Sequence, residues 1–233
     1  MRHTIFHLLA TISALFCADA YAAMDSHEYK ECAALTRTDP AKALQVANEW
    51  SHRENAAPAF HCRAIALFAL KRYPEAAKEL GELSTRIGQS NITLWANVLR
   101  QSAKASELSG DNAQAVVSLT SAIGPVSAEG LKDQAVARIA SELLLERSRL
   151  YNISGRQMFA VQDLDQALEL SPDNVSIMLA RARLFIEMKQ DKLADRDIEQ
   201  ALQIQPGNPE AIKIRGLLAP NSHEQQLIAP NEK

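Results

Sequence analysis

Two stretches of this chain end almost identically: DLDQALELSPDN at Asp163 to Asn174 and DIEQALQIQPGN at Asp197 to Asn208, an offset of 34 residues. A repeat of that length made of two short helices cannot bury its apolar face alone and must stack on copies of itself. The chain is therefore expected to be a helical array. Its composition agrees: 47% of the 233 residues are hydrophobic, only 5% are aromatic, and Gly and Pro are sparse at 8 and 9. That is the make-up of an Ala/Leu-rich helical protein with enough apolar residues for one elongated core.

The prolines set the phase. Pro172 and Pro206 each end a helix, because the residue before a proline is pushed out of the helical region. Counting back from them gives units 141–174 and 175–208. The first helix of each unit carries a large, a small and an aromatic residue: Leu144, Ser148 and Tyr151, then Met178, Ala182 and Phe185. The second carries a small, a large and a small one: Ala160, Leu164 and Ala167, then Ala194, Ile198 and Ala201. Small residues let helix axes approach, and bulky ones fill the space between them. This pattern resembles the tetratricopeptide repeat (TPR) family, which implies an all-α, right-handed superhelical solenoid of helix-turn-helix units.

The same frame extends upstream. Unit 57–90 has Phe60, Ala64, Leu67, Ala76, Leu80 and Leu83 in register. Unit 96–127 has Leu99, Ala103, Ala115, Leu119 and Ala122, with Ser106 in place of a large residue. A degenerate unit, 24–55, keeps only Ala43, Ala47 and Trp50 after the Asp39-Pro40 helix start, as terminal repeats commonly do. Residues between Pro125 and Ser141 fall outside the frame. Leu131, Val136, Ile139, Leu143 and Leu150 lie at helical spacing there, predicting a first helix lengthened to span 127–151. It would serve as a pad against the preceding unit or as a docking ridge. A capping helix over 209–218 is expected to use Ala211, Ile212 and Leu217, and the polar segment 220–233 reads as a disordered tail. The array as a whole is bounded at 23–219.

Residues 1–22 have the pattern of a secretory signal: Arg2 and His3, an apolar run from Ile5 to Cys17, then Ala20-Tyr21-Ala22 before the expected cleavage. No later segment reaches the roughly 18 uninterrupted apolar residues of a membrane span. Export to a bacterial periplasm is the expectation. In that oxidising setting Cys32 and Cys62, the two cysteines beyond the signal, favour a disulfide over free thiols or a zinc site with His27 and His61, whose spacing matches no compact ligand motif.

No phosphate loop, nucleophile elbow, paired-histidine metal helix or glycine-rich dinucleotide turn is present, so no catalytic residue, cofactor or metal is assigned. His27, His52 and His61 are candidate bases only if the array is an accessory module of an envelope enzyme system. Met158, Met178 and Met188 read as core filler. The triplets beginning at Asn91, Asn152 and Asn174 match a glycan acceptor pattern by chance. A formal charge of -3 offers no broad basic field for nucleic acid.

In the family that the repeat resembles, first helices line a concave groove. The positions that face it carry His61, Ile65 and Phe68 in the second unit and Leu145 and Leu179 further on. They also carry a ladder of donors: Arg100, Lys104, Arg149, Asn152 and Arg183. These suit carboxylates of a protein or peptide partner. The competing reading pairs them with Glu107, Glu142 and Glu146 in exposed ion pairs of about 0–1 kcal/mol. The expected role is an exported, non-enzymatic scaffold or adaptor; a self-assembling structural role is the other non-catalytic alternative.

Overall fold

A computed structural model describes residues 26–218. The signal-like segment 1–22 and the tail 220–233 lie outside them. Among the described residues there are eleven α-helices and no strand, and no helix is long and apolar enough to cross a membrane. The chain divides into two compact units, with the boundary between Leu143 and Leu144.

The first unit contains α1 (His27–Thr38), α2 (Pro40–Arg53), α3 (Ala57–Ala69), α4 (Tyr73–Ile87), α5 (Ile92–Leu108), α6 (Asn112–Gly130) and the start of α7 (Gln134–Ile153). The second contains the rest of α7, α8 (Gln157–Leu170), α9 (Val175–Glu187), α10 (Asp191–Ile204) and α11 (Pro209–Arg215). Consecutive helices pack as hairpins in both.

Short polar residues start most of these helices by accepting orphaned backbone N–H groups. Asp39 accepts from Lys42, Asn91 from Leu94, Asp111 from Gln114, Asn174 from Ile177 and Asn208 from Ala211, at 2.9–3.3 Å. Two of the three glycan-like asparagines are thus helix caps. Within each of the four hairpins from α3 to α10, one turn residue takes a positive φ: Lys71 (60°), Gly110 (87°), Gly155 (72°) and Lys189 (60°). Each is the fifteenth residue of its frame. Glycine adopts that conformation freely, whereas lysine accepts a left-handed penalty of about 1 kcal/mol.

The small frame residues vanish into the hairpins. Ala64, Ala76, Ala115, Ala122, Ala160, Ala167, Ala182, Ala194 and Ala201 are fully covered, with Leu80, Leu119, Leu164, Met178 and Ile198 packed between them. In α11 the buried pair is Ala211 and Ile214, one turn apart, while Ile212 and Leu217 are exposed. Ala211 thus packs as expected, whereas Ile212 and Leu217 do not, because the helix docks by its 211/214 edge and ends at Arg215, short of 218.

Pro125 does not end a helix. It lies inside α6, which runs on to Gly130, so α7 begins at Gln134 and not at 127. The residue before it is Gly124, which has no Cβ to collide with the proline ring, and buried Val126 and Gly130 hold the continuation down. The extra residues therefore lengthen two helices, α6 to 19 residues and α7 to 20. Their crossing is close: a Cβ on Gly130 would lie 2.8 Å from Ala137 Cα. Leu131, expected on the apolar face, sits in the turn and is 81% exposed. Met178 is core, but Met158 is 62% exposed beside Phe159, so the core-filler reading fails at that position.

Candidate functional site

Arginines in this protein occupy two different environments. In the first, Arg63 reaches Glu79, Arg147 reaches Asp163 and Arg181 reaches Asp197, always from the first helix of a hairpin to the second across 16 residues. Arg147 donates from Nε and Nη2 to both Asp163 oxygens at 2.9 and 2.7 Å. Arg181 does the same to Asp197 at 2.8 and 2.7 Å and spends its third nitrogen on Asp165 at 2.7 Å. Asp163 and Asp197 are buried. Burial opposes the Arg147 charge, but the bonds to Asp163 outweigh it and its pKa stands above the ordinary value. The Asp197 bonds hold Arg181 higher still. Each guanidinium also lies over an aromatic ring of its own helix: Arg63 over Phe60, Arg147 over Tyr151 and Arg181 over Phe185, at 5.0–5.9 Å. These locked pairs were not read from the sequence, although Arg147/Arg181 and Asp163/Asp197 share its 34-residue offset.

The second environment holds the residues expected to line the groove. In the first unit Arg100 on α5 bonds Glu142 at 3.0 Å, and Lys104 bonds Glu107 at 3.1 Å one turn on. In the second unit Asn152 on α7 donates to Glu187 of α9 at 2.8 Å, and Arg183 on α9 reaches Glu210 of α11 at 2.7 Å. Arg149 on α7 is exposed. The groups paired with Arg100, Lys104 and Arg183 are all partly open to water, with 49% of the Arg183 side chain accessible. Such pairs are worth only about 0–1 kcal/mol and exchange easily for another carboxylate. Glu107 and Glu142, named in the competing reading, are indeed partners, and a residue can be both weakly paired and available. Two other expected groove residues, His61 and Leu179, are buried.

His61 is the centre of a chain of three first helices in the first unit. The Tyr29 hydroxyl on α1 donates to its Nδ1 at 2.7 Å, and its Nε2–H donates to Gln101 Oε1 on α5 at 3.0 Å. A neutral imidazole protonated on Nε2 satisfies both bonds. Burial lowers its pKa, partly countered by the Gln101 bond, and burial raises that of Tyr29. Adjacent to His61, Cys62 on α3 is bonded to Cys32 on α1, with Cα atoms 6.2 Å apart. The two sulfurs lie in a small cluster with Ala47, Tyr29 and Val46. His27 and His52 are exposed on α1 and α2, and among the described residues no three His, Cys, Asp or Glu side chains gather as a metal site.

No protein-family model matches the chain, and no curated protein matches it at a significant level. Solved structures do. A tetratricopeptide repeat protein from Parabacteroides merdae aligns with TM-score 0.60 at 18% identity, over 83% of this chain and 73% of that one. YrrB, described as a TPR protein with an unusual peptide-binding site, aligns with TM-score 0.55 at 14% identity, over 84% and 97%. MamA from Desulfovibrio magneticus RS-1 aligns with TM-score 0.54 at 14% identity, over 79% and 98%. The described residues thus form an all-α helical-repeat protein with the TPR fold.

Proposed function

We propose that this protein is an exported, non-enzymatic adaptor that binds an extended segment of a protein partner through exposed donors, Arg149 and Arg183, on the first helices of its second unit. The observation that carries this reading is the division among the arginines. In the second unit Arg147 and Arg181 are spent on the fold, whereas Arg183 faces water in a pair that a ligand carboxylate can replace. A helical-repeat scaffold suits that task, since its side chains are presented on rigid elements. The bonded Cys32 and Cys62 and the signal-like pattern of residues 1–22 support residence in an oxidising compartment, with the bacterial periplasm as the proposed location.

The test is crosslinked affinity capture from the native envelope, followed by mass spectrometry. Wild-type protein should retain a defined partner, and the pair Arg149→Glu and Arg183→Glu, both in the second unit, should lose it with helical content unchanged by circular dichroism. Retention of that partner by the folded double variant refutes the groove assignment.

A further inference from the structure

The hairpin of α5 and α6 lacks the set of residues that fills its sister hairpins. Where they carry Arg63, Arg147 and Arg181 it has Ser102; where they carry Glu79, Asp163 and Asp197 it has Ser118. At the frame position of Leu67, Tyr151 and Phe185 it has Ser106. Three large side chains have become three serines at once, and the space they leave is not closed. A cleft of about 520 Å³ lies among α4, α5 and α6, lined by all three serines, with Ala77, Leu99 and Val117 among its apolar neighbours.

The serines are buried, and their hydrogen bonds are unequal. Ser102 donates to the Ala77 carbonyl at 2.9 Å and lies 3.5 Å from the Ser118 hydroxyl. Ser106, only 1% exposed, has a hydroxyl with no partner at all. A buried orphan of this kind is rare in native proteins, and a hydrogen-bonding group entering the cleft would satisfy it. The charged groups Lys78, Glu82 and Asp111 also line the cleft. Lys78 faces Glu82, and Asp111 caps α6 through the Gln114 N–H. None of the three buried positions retains a charge, so an ionic occupant would meet no buried counter-ion, whereas an apolar ring with one hydroxyl at its tip suits Ala77, Leu99 and Val117 together with the Ser106 hydroxyl.

We propose that this cleft receives the tyrosine side chain of a partner polypeptide. The ring takes the volume that Tyr151 and Phe185 occupy in the sister hairpins, and the phenolic oxygen completes the hydrogen bonding of Ser106. The site is separate from the groove donors, and it stands or falls independently of Arg149 and Arg183.

The experiment titrates the full chain with N-acetyl-tyrosine amide, N-acetyl-phenylalanine amide and N-acetyl-alanine amide, following backbone amide shifts of α4, α5 and α6 by NMR. The tyrosine probe should shift the amides around Ser102, Ser106 and Ser118 and bind about 3–10-fold more tightly than the phenylalanine probe, the worth of one hydrogen bond. The alanine probe should leave them unmoved. Ser106→Phe supplies the missing ring from within and should abolish binding. Ser106→Ala, which makes no steric demand, should bring the tyrosine and phenylalanine affinities within twofold. Absence of cleft shifts with tyrosine, equal shifts with alanine, or an unchanged tyrosine preference in Ser106→Ala overturns the proposal. Binding that persists in a folded Ser106→Phe does so as well.

Discussion

Arg181→Met tests the claim that the buried arginine pairs belong to the fold. Methionine keeps most of the aliphatic stem, so the packing against Phe185 is largely conserved, while the carboxylate of Asp197 loses both of its 2.7–2.8 Å bonds. Asp197 is only 4% exposed, so water replaces the lost bonds poorly. Leaving a buried charge unpaired costs about 3–5 kcal/mol. The outer contact to Asp165, half exposed, adds at most about 1 kcal/mol. The double variant Arg181→Met/Asp197→Leu removes both charges and should recover most of the loss, giving a coupling of about 3 kcal/mol. Helical arrays can lose cooperativity, so urea unfolding should be read together with amide exchange in α9 and α10. A single variant that costs under about 1 kcal/mol, or a double variant as unstable as the single, refutes the assignment.

Other consequences are sharper at the amino-terminal end. Replacing Cys32 and Cys62 by Ala should lower stability by about 3–4 kcal/mol on the loop-entropy relation for their separation of 30 residues, measurable as a lower denaturation midpoint. His61 has a folded pKa below its unfolded value near 6.5, so the unfolded chain takes up the proton first as pH falls. Its contribution to stability is therefore intact above about pH 6.5 and lost below it, by up to about 1.4 kcal/mol per pH unit; His61→Gln should flatten the difference, and parallel pH profiles would exclude this. Gly130→Ala drives a Cβ against the Ala137 backbone and should cost about 1–3 kcal/mol in thermal melts, whereas unchanged melting would show that α6 and α7 can part.

The frame of small and large residues was legible because packing acts through it directly: every alanine that marks it from Ala64 to Ala201 needs to be small for two helix axes to meet. Three features escaped for physical reasons. Pro125 reads as a stop until Gly124 is considered, since part of the steric conflict comes from a Cβ on the preceding residue. Met158 looks like core because spacing along one helix tells which face is apolar, not whether a neighbour covers it. The locked arginines look like their exposed counterparts by type, and Arg149 and Arg183 also have acids, Asp165 and Glu199, 16 residues later; what separates Arg147 and Arg181 is that their partners Asp163 and Asp197 are buried, which spacing alone does not tell. Comparing frame positions does show one departure in the sequence: Ser102 and Ser118 stand where the sister hairpins carry the arginine and its acid.

The bond between Cys32 and Cys62 skips α2. Tension applied at the amino terminus passes from α1 into α3 across the sulfurs, and α2 hangs outside that load path. A machine that threads the chain from this end meets a closed covalent ring before the first complete hairpin, and must reduce it or stall. Unravelling from the other end encounters no such ring until it reaches Cys62. Mechanically the described repeats are braced by a covalent bond at one side of the array only, between α1 and α3.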